Sequence, residues 1–169
     1  VNSIDEIKHK IFKQVLGDMN IHGVEITSTA DIPGGTGLGS SSTFTVGLLN
    51  TLNCYNGKFV SKNKLARLAC EVEIEKLGNP IGKQDQYGAA LGGLNFIRFN
   101  QDGSVSHEPV LMEGRTYKRL QKNLLMFYTG TTRSANTILA EQTKNITSED
   151  KAKNLLKMCE LAKDMKVAL

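Results

Sequence analysis

The sequence has no tryptophan and few aromatic residues of any kind, since Phe and Tyr make up only 6% of its 169 positions. It also lacks a block of Lys and Arg, and its aromatic residues form no ladder on which bases could stack. No apolar run approaches the roughly 20 residues that a membrane-spanning helix needs. We therefore expect neither nucleic acid nor a membrane as a partner.

Cysteine is scarce as well. Cys54, Cys70 and Cys159 lie far apart in the chain, and none belongs to a metal-ligand pair such as C-x-x-C. Such cysteines are typical of reduced thiols in a cytoplasmic protein. We expect them to be small, semi-buried structural residues on helices.

What the chain does contain is enough apolar sequence for one sizeable core, since 40% of its residues are hydrophobic. The net charge is +4, from 21 basic and 17 acidic residues spread along the chain. This mild excess suits a protein that handles anionic metabolites. No Met opens the chain, and its first and last residues fall within predicted helices, so we expect it to be part of a longer protein.

Hydrophobic periodicity predicts a mixture of helices and short strands, which is an α+β layer fold. The helices are predicted from Ile4 to a stop at Gly17, from Ser40 to about Leu52, from a Ser61 N-cap to about Lys76, over Ser134–Thr143 and over Ser148–Leu169. The strands are predicted at Val24–Ser28, Leu94–Phe99, Ser104–Met112 and Leu124–Tyr128, of which the last should be buried. Asp102-Gly103 predicts a hairpin turn between the middle two strands.

A glycine-rich loop separates the first predicted strand from the second predicted helix. Its residues are Pro33, Gly34, Gly35, Thr36, Gly37, Leu38, Gly39, Ser40 and Ser41. Glycine lets a backbone approach an anion closely, and the unpaired N–H groups at the start of a helix favour phosphate. The hydroxyls of Ser40 and Ser41 can reach a phosphate or its magnesium ion. A glycine-rich helix entry without a ligand is the alternative.

Two better-known phosphate loops do not fit this segment. A Walker A loop ends in Gly-Lys-Ser/Thr, whereas Gly39 is followed by Ser40. The dinucleotide pattern G-x-G-x-x-G is met by Gly35 and Gly37, but its third position is Ser40. The loop therefore belongs to neither class.

Three acids, Glu71, Glu73 and Glu75, alternate along the predicted helix that follows Ser61. At roughly 100° per residue, Glu73 flanks the buried stripe, Glu71 points away from it, and Glu75 lies on the opposite flank. Glu73 could therefore reach an interior metal ion. A solvated helix face is the commoner explanation for such a pattern.

A second candidate carboxylate, Asp85, lies in the segment Ile81–Gln86, which is predicted to be irregular. Such a segment can aim a carboxylate into a cleft, and phosphoryl transfer often uses a base near the attacking hydroxyl. Lys83 is a candidate catalytic residue that would keep Asp85 ionised. A turn-capping Asp85 and a solvent-facing Lys83 are the alternatives.

The ten residues of Pro33–Ser42 resemble the signature loop of the GHMP kinases, the superfamily of galactokinase, homoserine kinase, mevalonate kinase and phosphomevalonate kinase. The family pattern P-x-x-x-G-L-G-S-S-[AS] is met at every fixed position. The resemblance implies that this loop cradles the phosphates of ATP and that Ser41 and Glu73 hold Mg²⁺. It also implies that Asp85 orients or deprotonates the acceptor hydroxyl.

Two further stretches, Gly82–Tyr87 and Tyr128–Ala135, are similar to one branch of that family, the D-glycero-D-manno-heptose 7-phosphate kinases with sugar-1-kinases such as fucokinase. The branch implies phosphorylation of the anomeric hydroxyl of the heptose phosphate, or of another sugar. Thr131 and Arg133 stand at a predicted helix entry, where a hydroxyl and a guanidinium can grip a distal phosphate. Helix capping and a solvent-facing Arg133 are the alternatives.

The fold that the resemblance implies is the sandwich of a GHMP-kinase N-terminal domain. It includes a left-handed βαβ unit, which the usual right-handed rule does not predict. We assign residues 1–145 to part of this ATP-binding domain, and residues 146–169 to a helix leading towards a C-terminal domain. The same fold occurs in ribosomal and translation-factor domains, so a non-catalytic binding module and an inert regulatory relative are alternatives to a kinase.

Overall fold

A computed structural model describes residues 3–31, 34–127 and 149–169 of the chain. The described residues divide into two compact units, one ending at Gly92 and the other beginning at Gly93. The domain boundary predicted near residue 145 lies outside the described residues and stays a prediction. In the described part, no helix is long and apolar enough to cross a membrane.

The first unit consists of helices. After a 3₁₀ turn at Ile4–Glu6 come α1 at Lys10–Met19, α2 at Ser40–Tyr55, α3 at Lys62–Cys70, a π-helical segment at Glu71–Lys76, and α4 at Gln84–Leu91. Helices α2, α3 and α4 pack against one another. Their apolar faces, together with that of α1, form the core, whose buried members are Ile11, Val15, Leu16, Ile21, Val46, Leu48, Leu49, Leu52, Leu65, Ala69 and Val72.

The single helix predicted from Ile4 to Gly17 is wrong at both ends. Ser3 caps the 3₁₀ turn, and α1 begins only after His9, whose Nδ1 accepts a hydrogen bond from the backbone N–H of Phe12. The helix continues past Gly17 to Asn20, which adopts the left-handed conformation with φ 51°. Asparagine tolerates this conformation better than most residues, so it ends the helix where a glycine was expected.

The strand predicted at Val24–Ser28 does not form. Its alternation is nevertheless real, because Val24 and Ile26 pack against the core while Glu25 and Thr27 are exposed. A strand needs a neighbour to satisfy its backbone N–H and C=O groups, and this segment pairs with no other described strand. The period of two therefore predicted which side chains are turned inwards, but could not supply the partner.

The second unit begins with a hairpin, as predicted from the Asp102-Gly103 turn. Strands β1 (Asn95–Phe99) and β2 (Val105–Pro109) pair antiparallel, with Ile97 opposite His107. The Asp102 carboxylate accepts hydrogen bonds from both the backbone N–H and the hydroxyl of Ser104, which closes the turn. These bonds lower the pKa of Asp102, because they stabilise its ionised form.

The described part of this unit also contains two helices, α5 at Gly114–Asn123 and α6 at Glu149–Ala168. Helix α5 was not predicted, because Tyr117 and Leu120 are its only apolar side chains and give no clear stripe. The α6 bounds confirm the helix predicted at Ser148–Leu169. The buried strand predicted at Leu124–Tyr128 is wrong over its described part, since residues 124–127 lie outside any strand and are well exposed.

The helices and the small antiparallel sheet confirm the α+β class. The sandwich and its left-handed βαβ unit stay predictions, because the described strands form only this two-stranded sheet. The predicted helix at Ser134–Thr143 lies outside the described residues.

Candidate functional site

The glycine-rich loop enters α2 by a path that only glycine follows easily. Gly37 and Gly39 have φ values of 78° and 67°, in the left-handed region where a Cβ atom is strained. Gly39 is the N-cap of α2 and provides no side-chain hydrogen bond to the first turn. Pro33 lies outside the described residues.

Helix α2 starts at Ser40, directly after this loop. An α-helix leaves the N–H groups of its first turn without intrahelical acceptors, and its dipole makes that end positive. Ser40 and Ser41 contribute hydroxyls to the same turn. The arrangement offers several donors to an anion that lies over the loop.

Glu73 reaches the interior because the helix that carries it changes geometry. Residues Glu71–Lys76 are π-helical, and the Leu77 N–H bonds to the carbonyl of Val72, five residues earlier. Extrapolation at 100° per residue placed Glu73 on the flank of the buried stripe, but its side chain is 0% exposed. The wider turn rotates the following residues relative to an α-helix, and such segments are frequent at functional sites. A solvated helix face is therefore wrong for Glu73.

The Glu73 carboxylate is held by two donors from different elements. The Ser41 hydroxyl donates to Oε1 at 2.6 Å, and the Gln86 amide donates from Nε2 to Oε2 at 2.7 Å. Both donors are uncharged, and burial of a carboxylate costs free energy unless hydrogen bonds or a cation compensate it. The structure thus brings together residues that are 32 and 13 positions apart in the sequence.

Asp85 lies beside the glycine-rich loop, and its side chain is exposed. The segment around it was predicted to be irregular, but Gln84–Leu91 is helix α4, and Asp85 lies in its first turn. An acid at this position interacts favourably with the helix dipole, which supports the helix start. A Cβ atom built on Gly39 would lie 3.2 Å from the Asp85 Cγ, so the carboxylate packs directly against the loop glycine.

Cys70, the last residue of α3, and Tyr87, on α4, are buried titratable side chains. Burial raises the pKa of the Cys70 thiol to about 11, with the charge of Lys83 acting in the opposite direction and those of Glu73 and Glu75 adding to it. Burial likewise raises the pKa of Tyr87. Both side chains are therefore neutral at physiological pH. All three cysteines lie on helices, as expected, but Cys54 and Cys159 are exposed rather than semi-buried, and Cys70 is buried.

A cleft of about 520 Å³ adjoins the loop. One wall is the segment Ile26–Asp31, and the other consists of Leu38 and α2 residues between Ser40 and Thr51. Ser, Thr and Asp31 side chains line the cleft together with apolar side chains such as those of Leu38, Phe44 and Leu48. Such a cleft can take a flat ring system with polar edges.

The donor set near Ser41 fits magnesium. Mg²⁺ prefers oxygen ligands and is usually held by one or two carboxylates together with phosphate oxygens. Glu73 and Ser41 supply a carboxylate and a hydroxyl at one point. Among the described residues, no group of three or more His, Cys, Asp or Glu side chains could hold a metal by itself. Glu73 and Ser41 would leave the remaining octahedral positions of Mg²⁺ to water or phosphate oxygens.

Gln86 is the site residue that the sequence interpretation missed. It was quoted only as part of a motif, although it is 0% exposed and contacts Glu73. The sequence offered one signal for its burial, because the residues that follow Gln86 on α4 are mostly apolar. Thr131 and Arg133, the predicted phosphate-gripping residues, lie outside the described residues.

Residues 4–93 match the family model described as the GHMP kinases N terminal domain. The chain belongs to the GHMP kinase family. This segment includes the glycine-rich loop, Glu73 and Asp85.

Individual relatives are sugar kinases by name. The chain is 35% identical over 109 residues to D-glycero-alpha-D-manno-heptose 7-phosphate kinase of Campylobacter jejuni. The matched stretch covers 64% of this chain and 32% of that protein. It is 35% identical over 123 residues to the L-fucokinase/L-fucose-1-P guanylyltransferase of Bacteroides fragilis, a match that covers 70% of this chain and 13% of that protein. It is 29% identical over 146 residues to the galactokinase of Pyrococcus furiosus, a match that covers 86% of this chain and 40% of that protein. The chain therefore spans less than half the length of each.

A solved structure agrees with these relatives. A D-glycero-D-manno-heptose 1-phosphate kinase from Bacteroides thetaiotaomicron is 35% identical to the chain and superimposes with a TM-score of 0.54. The match covers 62% of this chain and 35% of that one. The fold of the matched part is thus that of a GHMP kinase N-terminal domain.

Proposed function

We propose that this chain carries the ATP site of a sugar kinase, which transfers a phosphoryl group from ATP to a sugar hydroxyl. The observation that carries the proposal is that two carboxylates lie at the start of the same helix, α2. A carboxylate hydrogen-bonded to Ser41 and an exposed carboxylate packed on Gly39 flank the same loop. Phosphoryl transfer needs a phosphate cradle, a metal site and a group near the acceptor, in that arrangement.

The proposed roles follow from the contacts. The loop from Gly34 and the first turn of α2 bind the ATP phosphates through backbone N–H groups. Ser41 and Glu73 hold Mg²⁺, which when bound neutralises phosphate charge. The cleft beside Leu38 and Phe44 takes the base and ribose of the nucleotide, because the apolar side chains of its lining suit a planar ring and the hydroxyls suit its polar edges.

Asp85 is proposed to orient or deprotonate the acceptor hydroxyl. Its carboxylate is exposed and lies against the loop glycine, so a sugar hydroxyl can approach it next to the terminal phosphate. Lys83, the residue directly before α4, is proposed as a second catalytic residue that supplies a positive charge two positions before Asp85.

For the substrate we propose D-glycero-D-manno-heptose 7-phosphate, phosphorylated at its anomeric oxygen, with Thr131 and Arg133 gripping the 7-phosphate. The names of the Campylobacter and Bacteroides thetaiotaomicron proteins support a heptose. The names of the other relatives support L-fucose or galactose as alternatives.

A comparison of sugars tests the substrate in the full-length protein. We expect kcat/KM to be about 10-fold or more higher for the heptose 7-phosphate than for heptose, since each charge-assisted hydrogen bond contributes about 1.5–3 kcal/mol. Arg133→Ala should remove most of this preference and leave the unphosphorylated sugar unaffected. Equal rates for both sugars, with Arg133→Ala affecting both alike, would rule out the grip and favour a fucokinase-like enzyme. ATP binding without transfer to any sugar would favour a non-catalytic module.

The packing of Asp85 on Gly39 gives a second test. Gly39→Ala should lower turnover at saturating ATP about 10-fold, because the new Cβ atom pushes the exposed carboxylate away from the loop. Gly37→Ala is the matched control: its φ is also left-handed, at a similar cost of about 1–2 kcal/mol, but its Cβ atom would meet nothing within 4 Å. Stopped assays at several ATP concentrations give turnover and ATP affinity separately. Equal turnover in the two variants would show that strain in the loop, and not displacement of Asp85, accounts for the loss.

A further inference from the structure

We propose that Gln86 is a positioning residue, which fixes the orientation of the Glu73 carboxylate and thereby sets the magnesium affinity of the site. This inference rests on the proposed function, because it assumes that Glu73 is a metal ligand. Gln86 itself contacts neither nucleotide nor metal in this role. It acts through its hydrogen bond to Glu73 Oε2.

The first argument is that burying the polar side chain of Gln86 costs free energy. Gln86 is 0% exposed, and within the described part of the chain its Oε1 atom has no hydrogen-bond partner. A buried amide with an unsatisfied acceptor is less stable than an apolar side chain of the same size. Packing alone would therefore favour Leu or Met at this position. The contact that an apolar residue could not replace is the donation from Nε2 to Glu73.

The second argument concerns the two oxygens of Glu73. Oε1 receives its hydrogen bond from Ser41, whose hydroxyl is itself a proposed metal ligand. Oε2 receives its hydrogen bond from Gln86, which lies in the interior. Gln86 is therefore the support of Glu73 that remains independent of the ligand. Carboxylates that bind metals are commonly oriented by such hydrogen bonds, and their loss typically costs 10- to 100-fold in metal affinity or activity.

The third argument is the place of Gln86 on α4. Asp85 and Gln86 are consecutive in the first turn, so their side chains leave the helix in different directions. One packs on the loop glycine, and the other bonds to the buried carboxylate. The same helical turn therefore fixes the distance between the proposed acceptor-side carboxylate and the proposed metal ligand.

The test measures cation binding directly, with Mn²⁺ as a spectroscopic probe for Mg²⁺. Electron paramagnetic resonance of the full-length protein with a non-hydrolysable ATP analogue gives the Mn²⁺ dissociation constant. Gln86→Met keeps the length of the side chain and removes the donor, so we expect Mn²⁺ to bind about 10-fold more weakly. Gln84→Met is the matched control, since Gln84 is exposed on the same turn, and it should bind Mn²⁺ like the wild type.

A second variant provides a readout that a packing role would not change. In Gln86→Glu two carboxylates face each other at hydrogen-bond distance and must share a proton. The Mn²⁺ affinity should then fall more steeply, as the pH is lowered, than that of the wild type. This variant also keeps the inference testable if Gln86→Met fails to fold, which thermal unfolding would reveal.

The outcomes separate this inference from the proposed function. If the wild type binds no Mn²⁺ with the ATP analogue, both are wrong. If the wild type binds it and folded Gln86→Met binds equally well, only the role of Gln86 is overturned, whereas weaker binding in Gln86→Met supports that role. If Gln86→Met does not fold, Gln86→Glu decides: a steeper pH dependence supports the role of Gln86, and the wild-type pH profile overturns it.

Discussion

Replacing Asp85 by Asn should lower turnover by about 10²-fold or more while ATP affinity stays nearly constant. The amide keeps the size of the side chain and its contact with Gly39, but it cannot accept a proton from the acceptor hydroxyl. An interaction made only in the transition state affects turnover rather than nucleotide binding. The measurement is steady-state turnover of the full-length protein with the heptose 7-phosphate, beside ATP-analogue affinity from titration.

The control for this substitution is Asp5→Asn. This substitution removes the same charge from a well-exposed side chain that pairs with Lys13 on the surface, so turnover should stay at the wild-type level. Near-normal turnover in Asp85→Asn would contradict the catalytic assignment. Asp85 would then serve only to support the start of α4 and to pack against the loop.

Replacing Glu73 by Gln should weaken cation binding by about 100-fold or more. Loss of a directly coordinating charge should exceed the 10- to 100-fold cost typical of its hydrogen-bond supports. The fold should tolerate the change, because rotation of the Gln86 amide would turn its unpartnered Oε1 towards the new NH₂ group. The expected result is thus a sharply raised magnesium requirement with little change in the melting temperature.

Mn²⁺ binding, magnesium-dependent turnover and thermal unfolding together check this expectation. Glu75→Gln is the matched control, since Glu75 lies two residues away on the same π-helical segment and is exposed. It should keep the wild-type magnesium dependence. An unchanged dependence in Glu73→Gln, or a shift in Glu75→Gln instead, would remove Glu73 from the metal site.

Some features of this protein depend only on local sequence. The glycines before α2 and the serines at its start predict a loop that enters a helix, because backbone freedom and helix-end donors are properties of those residues alone. The Asp102-Gly103 turn likewise predicts its hairpin, since the turn geometry is set by two residues. The family resemblance was equally local, and the match over residues 4–93 confirms it.

Other features depend on partners that are distant in the sequence. Val24 and Ile26 alternate like a strand, but strand formation requires a neighbour that no local pattern supplies. The end of α1 shows the same limit on a smaller scale. Gly17 looked like a stop, yet the helix continues to Met19, whose side chain packs against the core.

For the candidate site, too, the sequence indicated some features and the tertiary structure decided others. Sequence indicated Glu73 and Asp85 as acids near a phosphate loop, but an ideal α-helix placed Glu73 at the edge of the buried stripe. Only the π-helical turn and the packing of α2, α3 and α4 bury it between Ser41 and Gln86. Residue type therefore determined which groups could react, whereas tertiary packing decided which of them meet, because hydrogen bonds across 13 and 32 positions exist only after the helices pack.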